Sequence, residues 1–382
     1  MNDGLIYLDY AAATPLDPGV QAVMQPYFTE RFYNPSATYA AAQSVHADLD
    51  AARAGVAHWL GAKPSEIIFT AGGTEANNLA IRGVMDQFTD GNVVVSAIEH
   101  ESVLATAGVY KHHLAPVDGA GIVDVDQLVH LIDDQTVLVS VMYANNEVGT
   151  VQPIRRIAAA VAAVRKQRAQ AGNHRPLYMH TDAAQAAAYL DLHAARLGVD
   201  MLTINAGKIY GPKQVGALFV GARVGLQPQM LGGGQERGLR SGTENVAGAV
   251  GIAKALDLVQ QRRHEEAVRL QTLQASFIAQ LQAAFPNVQV NGSQTHRLPN
   301  NLHVTLPGTD NERIIFGLDE QGILCAAGSA CSADSGEPSH VLKAMGLTDD
   351  AARASLRFTL GKDTSQADID RTIRALIGVA SS

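Results

Sequence analysis

A lysine between an apolar run and a Gly-Pro turn is the first candidate for chemistry in this 382-residue chain. Lys208 lies in residues 205–213 (NAGKIYGPK), after a run that is typical of a buried strand. A buried amine loses its charge more readily than one in water, which favours Schiff-base chemistry with a carbonyl compound. Most lysines are solvated, and Lys213 beyond the turn is interpreted in that way. A catalytic role for Lys208 therefore depends on the evidence from the other segments.

Two further segments place anion-binding or acidic groups after apolar runs. Residues 69–75 (FTAGGTE) turn on glycines into a helical pattern. Because N–H groups at a helix N-terminus bind phosphate, Gly73 and the hydroxyl of Thr74 predict a phosphate site. Asp182 follows another apolar run, at the strand end where α/β sheets bind ligands. An aspartate there can pair with a protonated ring nitrogen of a cofactor, although a helix N-cap is the simpler alternative for Asp182 and Thr74.

The two cysteines have different surroundings. Cys331 lies among small and polar residues in 327–339, which predicts an exposed thiol that can act as a nucleophile. Cys325 lies in an apolar stretch and is predicted to be buried and inert. Two cysteines exclude a disulfide framework and favour a reducing, cytoplasmic location. Residues 232–244 combine glycines, arginines and hydroxyls, which predicts a mobile loop that binds anions.

Composition excludes several classes of protein. The chain is 47% hydrophobic and 17% charged, which is enough for a large and a smaller domain. Its net charge of −8 argues against direct binding to nucleic acid. It has no apolar run of about eighteen residues, so we predict no membrane span, and the first residues do not resemble a signal peptide. No cluster has zinc-site spacing, so no metal site is predicted.

The elements that must position these residues alternate in type. Apolar, β-branched runs at 67–70, 93–97, 137–143 and 177–181 alternate with helical patterns such as 74–85 and 154–170. This alternation predicts an α/β fold with a mostly parallel sheet that helices cover on both faces. A hairpin-like pair is predicted in residues 203–220 and a long helix in 245–284. We predict a large domain of residues 16–254 and a small α+β domain of residues 1–15 and 255–382 that carries the Cys331 segment.

Taken together, in this order and spacing, the segments resemble the cysteine desulfurases of the class V aminotransferase family. The likeness runs from residues 7–15 (YLDYAAATP) to residues 356–361 (LRFTLG). Its most specific parts are the KIYGPK motif, the GGGQERG loop with RSGT, and GSAC. The resemblance implies a fold-type I enzyme that depends on pyridoxal 5'-phosphate (PLP), with a mixed, mainly parallel seven-stranded sheet in the large domain. It also implies a homodimer whose active sites share residues across the interface.

The resemblance assigns a role to each matching residue. Lys208 matches the Schiff-base lysine, and Cys331 the cysteine that forms a persulfide. His100 matches the histidine that stacks on the cofactor ring and relays protons. Asp182 matches the acid at the pyridine nitrogen, and Gln185 the donor to the phenolic oxygen.

Other matches concern the phosphate and the substrate. Gly73 and Thr74 match the phosphate cradle, and Thr243 matches the phosphate ligand that the second subunit supplies. Asn146 matches an asparagine that contacts cofactor and substrate. Arg357 matches the clamp for the substrate carboxylate, to which a guanidinium can bind through two hydrogen bonds. Simpler alternatives are a core histidine for His100, a turn residue for Asn146 and a surface charge for Arg357.

The chain departs from its apparent relatives just before Lys208. Most of them carry Ser-x-His-Lys there, whereas this chain has Asn205 and Gly207 in place of the serine and the histidine. Asn205 can replace the hydroxyl as a donor to phosphate, but Gly207 offers only its backbone N–H. We therefore predict a rearranged phosphate site that retains PLP more weakly.

The function that the resemblance implies is a cysteine desulfurase. It would convert L-cysteine to L-alanine and pass the Cys331 persulfide to an acceptor protein, such as an iron–sulfur scaffold or a tRNA-thiolation relay. One alternative is a selenocysteine lyase or another class V PLP lyase. The other is a non-catalytic sulfur-assembly scaffold, for which residues 205–207 are the sole support.

Overall fold

A seven-stranded sheet forms the centre of the computed structural model, which describes residues 4–328 and 338–381. Strands β2 to β8 form this sheet, and the other strands form two smaller sheets. The strands of the described residues are β1 (Ile6–Tyr7), β2 (Ile67–Thr70), β3 (Asn92–Ser96), β4 (Lys111–Ala115), β5 (Thr136–Ser140), β6 (Tyr178–Asp182), β7 (Met201–Asn205), β8 (Gly216–Val220), β9 (Gln289–Asn291), β10 (Asn301–Thr305), β11 (Ile323–Leu324) and β12 (Ser355–Thr359). The helices are α1 (Pro18–Met24), α2 (Pro26–Thr29), α3 (Ala40–Leu60), α4 (Gly73–Met85), α5 (Glu101–Ala107), α6 (Val125–His130), α7 (Ile154–Gln170), α8 (Ala194–Leu197), α9 (Val246–Ala284), α10 (Asn311–Asp319), α11 (His340–Ala344), α12 (Asp349–Arg353) and α13 (Gln366–Ser381).

The central sheet has the strand order β2-β8-β7-β6-β5-β3-β4. Strands β7, β6, β5, β3 and β4 are parallel to their neighbours in that order, and β8 is antiparallel to both β7 and β2. All five residues of β3, β5 and β8 are buried, as expected for strands that are covered on both faces. The predicted mixed, mainly parallel seven-stranded sheet and its hairpin-like pair, β7 with β8, are confirmed.

The candidate residues lie at one edge of this sheet. Strand β6 ends at Asp182, and β7 ends at Asn205, where a 3₁₀ turn from Ala206 to Lys208 follows. Strand β2 leads into α4. Because β2, β6 and β7 run in the same direction, their carboxyl ends meet at the edge where α/β sheets bind ligands.

A second core forms around a smaller antiparallel sheet with the order β12-β10-β9. Leu302 of β10 and Phe358 of β12 pack against Phe277 and Leu281 of the second half of α9. The first half of α9, around Leu256, packs in the core of the large sheet. This helix has 39 residues, about 58 Å at 1.5 Å per residue, and it confirms the predicted long helix. It runs through residue 255 without interruption, so the boundary drawn there stays a prediction.

The residues on either side of the Cys331 segment are described and have clear contacts. Before it, Ala326 forms a backbone bridge to Arg357 of β12. After it, Val341 and Leu342 of α11 pack against Ile98 in a separate apolar cluster. Cys331 itself lies outside the described residues.

Candidate active site

Lys208 is held beneath a short stretch of backbone from the start of the chain. Its Nζ donates to the carbonyl oxygens of Ala11 at 2.8 Å and Ala12 at 2.6 Å. The Thr14 hydroxyl donates to the Gly207 carbonyl oxygen at 3.1 Å and accepts from the Tyr210 N–H at 2.7 Å. The stretch that includes Ala11, Ala12 and Thr14 therefore fixes the position of the lysine amine and of the turn that carries it.

Gln185 shares one of these acceptors. Its Nε2 donates to the Ala11 carbonyl oxygen at 3.0 Å, so the predicted cofactor donor and the predicted catalytic lysine converge on one backbone oxygen. Asp182 is buried nearby at the end of β6. Its Oδ1 accepts from the Ala184 N–H at 2.9 Å, and its Oδ2 from Asn77 Nδ2 at 2.7 Å. The carboxylate is thus oriented by donors on both oxygens.

His100 caps the N-terminus of α5. Its Nδ1 accepts from the Ser102 N–H at 3.1 Å and lies 2.8 Å from Ser102 Oγ. Asn77 Nδ2 also contacts Ser102 Oγ, at 2.9 Å. The structure therefore links His100 to Asp182 through two side chains that the sequence analysis did not select.

The start of α4 forms one wall of a cavity of about 680 Å³. The cavity is lined by residues from the α4 N-terminus, the β7 turn and the Gly-Pro segment, including Gly72, Gly73, Thr74, Asn205, Gly207, Lys208 and Lys213. Gly72 has a φ of +111°, which favours glycine at the turn into the helix. The helix N-terminus and two lysine ammonium groups make this cavity suitable for an anion. Lys213 is exposed, as expected, but also lines the cavity and donates to the Thr14 carbonyl oxygen.

The unusual residues before Lys208 contact each other. Asn205 Oδ1 accepts from the Gly207 N–H at 3.1 Å, so this N–H is already used within the turn. A Cβ on Gly73 would lie 3.4 Å from Asn205 Nδ2, which places the amide of Asn205 over the start of α4. A Cβ on Gly207 would meet its nearest neighbour, Asn205 Oδ1, at an ordinary 3.5 Å. The site therefore accepts a Cβ at position 207 without a clash.

Arg357 of β12 is almost completely enclosed, with 2% of its side chain exposed. One Nη donates to Asp9 Oδ1 at 2.7 Å and the other to the Asn146 carbonyl oxygen at 3.1 Å. Its Nε is buried without a hydrogen-bond partner in the described part of the chain. On the paired strand β10, burial and the Arg357 charge lower the pKa of His303 to about 3, so His303 is neutral and adds no second positive charge. The structure thus brings Arg357 and Asn146 together and adds Asp9 as the counter-ion.

The glycine-rich loop that carries Thr243 is tied to α3 and α4. Arg53 of α3 donates to both carboxylate oxygens of Glu236, at 2.6 and 2.8 Å, in a buried pair. Arg240 pairs with Glu75 at 2.9 Å. The loop predicted to be mobile is therefore anchored by two ion pairs, and Thr243 is exposed beyond them.

The cysteines and the flanks of the Cys331 segment relate differently to this site. Burial raises the pKa of the Cys325 thiol to about 12, which agrees with the predicted inert thiol, although the residue is only half-buried. On the far side of the segment, Ser339 Oγ donates to Glu147 Oε2 at 2.5 Å. His340 Nε2 lies 2.9 Å from the Glu99 carbonyl oxygen. The described flank before the segment thus lies beside Arg357, and the flank after it lies beside Glu99, the residue before His100.

Glu99 is a buried carboxyl next to His100. Its Oε1 accepts from the Ser96 hydroxyl and from the Met142 N–H at 2.7 Å, whereas Oε2 has no partner among the residues described. Burial, with a smaller contribution from the Asp182 charge, raises the pKa of Glu99 to about 8. Glu99 is therefore protonated in the folded protein at neutral pH.

Glu99→Gln tests this protonation through the stability of the protein. The pKa of Glu99 is about 8 in the folded state against 4.5 for an unperturbed glutamate, so its contribution to stability is complete below 4.5 and is lost as pH rises through 8. We expect the free energy of unfolding to fall less steeply across this window in Glu99→Gln than in the wild type, measured by denaturant unfolding. The exposed Glu30→Gln serves as the control. Parallel pH curves for wild type and Glu99→Gln would show that Glu99 is ionised.

The residues that hold the site residues in place were not predicted from the sequence. Asp9, Asn77 and Ser102 each contact a residue that the sequence motifs had indicated, and Glu99 directly precedes His100. Asn77 is a polar residue on the buried face of α4, and this position is the sequence signal that could have indicated its role.

Two features are not found in the described ranges, 4–328 and 338–381. These ranges contain no group of three or more His, Cys, Asp or Glu residues that is arranged to hold a metal ion. They also contain no helix with the length and apolar character that crossing a membrane requires.

Comparisons with known proteins agree with the geometry. The aminotransferase class-V family model matches residues 6–372. The cysteine desulfurase IscS of Clostridium botulinum is 39% identical over 380 residues, which cover 97% of this chain and 93% of that protein. A solved NifS-like protein has a TM-score of 0.90 at 31% identity and covers 99% of both chains. The structure titled "SspA in complex with cysteine" has a TM-score of 0.79 at 33% identity, with coverage of 93% and 98%. This chain therefore belongs to the class V aminotransferase family and, within it, to the cysteine desulfurases, which are PLP-dependent enzymes.

Proposed function

We propose that this protein takes sulfur from L-cysteine, releases L-alanine and holds the sulfur as a persulfide on Cys331. The observation that carries the proposal is the convergence of Lys208, Gln185 and Asp182 at the sheet edge that binds ligands in α/β folds. Relatives that are named cysteine desulfurases, and a similar structure with cysteine, indicate the substrate.

The residues at this edge suit PLP. Its phosphate fits the anion-binding cavity at Gly73, Thr74 and Asn205, whose volume lies within the usual range for ligand pockets, about 300–1,000 Å³. Asp182 would hold the ring nitrogen and Gln185 the phenolic oxygen. When bound, PLP supplies an aldehyde that takes the substrate amine and a ring that accepts electrons.

His100, Asn146 and Thr243 complete the proposed set of cofactor ligands. His100 would lie over the ring, and Asn146 would contact both cofactor and substrate. We assign Thr243 to the phosphate of the second subunit, since it is exposed at the end of an anchored loop.

Lys208 and Arg357 prepare the substrate. The Lys208 amine, held at Ala11 and Ala12, takes the proton from the substrate Cα. Arg357 binds the substrate carboxylate beside Asn146. Because little of the guanidinium meets water, its attraction to a carboxylate is stronger than at an exposed site.

Cys331 completes the reaction as the nucleophile. Its thiolate attacks the substrate sulfur, so a sulfur–sulfur bond forms and the substrate Cβ–S bond breaks. The electron pair of the broken bond stays with carbon, which takes up a proton and becomes the methyl group of alanine. The Nε2–H of His100 can move protons in this region.

The proposal includes a homodimer, an acceptor and a compartment. Phe28, Phe32 and Leu231 are between 60% and 83% exposed, and Leu231 directly precedes the loop that carries Thr243. These exposed apolar side chains are available for a protein contact, which we assign to a second copy of the chain. The acceptor is a cytoplasmic protein such as an iron–sulfur scaffold. We also propose the division into residues 16–254 and the remainder.

Gly207→His tests the rearranged phosphate site. A Cβ at this position meets its neighbours at ordinary distances, and we expect an imidazole on it to donate a hydrogen bond to the phosphate. A hydrogen bond to a charged group contributes about 1.5–3 kcal/mol, so we expect PLP to bind about tenfold or more tightly. Dialysis followed by titration with PLP measures the change, with Gly207→Ala as the control without an imidazole. Equal retention of PLP by wild type and Gly207→His would contradict a weakened site.

The direct test of the proposed function is incubation of the protein with L-cysteine and a thiol reductant. We expect alanine and sulfide in equal amounts. A parallel incubation with L-selenocysteine separates a desulfurase from a selenocysteine lyase. The proposal fails if alanine does not rise above the protein-free level, or if alanine forms from selenocysteine alone.

A further inference from the structure

One buried asparagine connects the two sides of the proposed cofactor site. Asn77 of α4 is 1% exposed. Its Nδ2 donates to Asp182 Oδ2 at 2.7 Å and to Ser102 Oγ at 2.9 Å, and Ser102 Oγ lies 2.8 Å from His100 Nδ1. The four side chains form a continuous hydrogen-bonded chain from the end of β6 to the start of α5.

The chemistry of the groups sets the direction of this chain. A carboxylate only accepts, so Asn77 must present its NH₂ group to Asp182, and its second hydrogen then points to Ser102. Because Ser102 Oγ accepts that hydrogen, its own hydrogen is available for His100 Nδ1. The Ser102 backbone N–H donates to the same nitrogen at 3.1 Å, which independently makes Nδ1 an acceptor. A neutral His100 therefore carries its proton on Nε2.

We propose that Asn77 is a positioning residue that orients the Asp182 carboxylate and, through Ser102, strengthens the hydrogen bonding that keeps the His100 proton on Nε2. This inference rests on the proposed function of the site, in which Asp182 faces the ring nitrogen and His100 moves protons. Asn77 acts through these two residues and needs no contact with the reacting atoms.

The unsatisfied side of Asn77 supports a functional role. Its Oδ1 is buried and has no hydrogen-bond partner in the part of the chain that the structure describes. A buried amide oxygen without a partner destabilises a folded protein, so a purely structural position would favour an apolar residue. Both hydrogens of the amide, by contrast, are used on residues of the site.

Asn77→Asp keeps the shape of the side chain and leaves at most one hydrogen on it, so the side chain cannot donate to Asp182 and to Ser102 together. In the holoenzyme we expect kcat to fall at least about tenfold, which corresponds to 1.4 kcal/mol of barrier, while KM for cysteine changes less. The cofactor absorbance band reports on the Asp182 end of the chain and should shift. The imidazole ¹⁵N signals of His100, assigned with His100→Gln, report on the other end and should shift, because Nδ1 loses the Ser102 hydroxyl as a donor and keeps only the backbone N–H.

Two further variants make the test independent of how well Asn77→Asp folds. Ser102→Ala cuts the chain between Asn77 and His100, so the His100 signals should change while the absorbance band stays. Thr106→Val removes another buried hydroxyl of α5, which donates to the Ser102 carbonyl oxygen, and should leave both readouts as in the wild type. The proposal would be overturned if Asn77→Asp changed only the absorbance band or only the His100 signals. It would also be overturned if the His100 signals stayed the same in Ser102→Ala. Neither spectroscopic readout needs turnover, so a failure of the proposed function, seen as no alanine from the wild type, is distinguishable.

Discussion

Replacement of Lys208 by alanine abolishes alanine formation and the covalent attachment of PLP. Removal of a catalytic acid–base group alone costs about 10²–10⁴-fold in rate, and this lysine also anchors the cofactor, so we expect a loss at the upper end or beyond. The amine is held at 2.8 and 2.6 Å by two backbone carbonyls, and Lys208 lines the anion-binding cavity. The measurements are the initial rate with L-cysteine and, after borohydride reduction, the mass of the peptide that carries the cofactor.

Lys213→Ala is the matched control for this experiment. Lys213 lines the same cavity five residues later, but its ammonium group is directed to the Thr14 carbonyl oxygen. We expect Lys213→Ala to bind PLP less tightly and to keep the covalent attachment at Lys208. The assignment of Lys208 would be wrong if the reduced cofactor mapped to Lys213, or if covalent attachment survived in Lys208→Ala.

Replacement of Cys331 by serine has the second large effect. Without the thiolate, the proposed nucleophile for the substrate sulfur is lost, so we expect sulfur transfer to fall by about 100-fold or more. The measurement is sulfide released per unit time from L-cysteine in the presence of a thiol reductant.

Cys325→Ser provides the control for Cys331→Ser. Cys325 remains a protonated thiol at neutral pH, because burial raises its pKa to about 12, and a thiol is a poor nucleophile. We expect Cys325→Ser to keep the wild-type rate. If Cys325→Ser loses sulfur transfer and Cys331→Ser retains it, the nucleophile has been misassigned.

The elements of the site were predictable because their signals are local. Buried strands such as β3 and β5 show as continuous apolar runs, and α7 has the bounds that its periodicity predicted. The short motifs at Lys208 and Asp182 follow such runs directly. A local pattern of this kind fixes the edge of the sheet at which a side chain lies.

The support of the site was not predictable because its contacts join distant parts of the chain. Arg53 meets Glu236 across 183 positions, and this pair anchors a loop whose glycines suggested mobility. Asn77 meets Asp182 across 105 positions. Likewise, the Gly207 N–H looked available for phosphate, but the geometry of the turn gives it to Asn205. The spacing of the residues along the sequence does not indicate any of these three contacts.

The central claim is that the sulfur of L-cysteine moves to Cys331, and peptide mass spectrometry after a single turnover tests it most directly. The protein is mixed with limiting L-cysteine without reductant, and its thiols are then alkylated and digested. We predict one additional sulfur on the peptide that contains Cys331, in an amount equal to the alanine released, and none on the peptide that contains Cys325. Alanine release with no additional sulfur on Cys331, or with the sulfur on Cys325, would contradict the account.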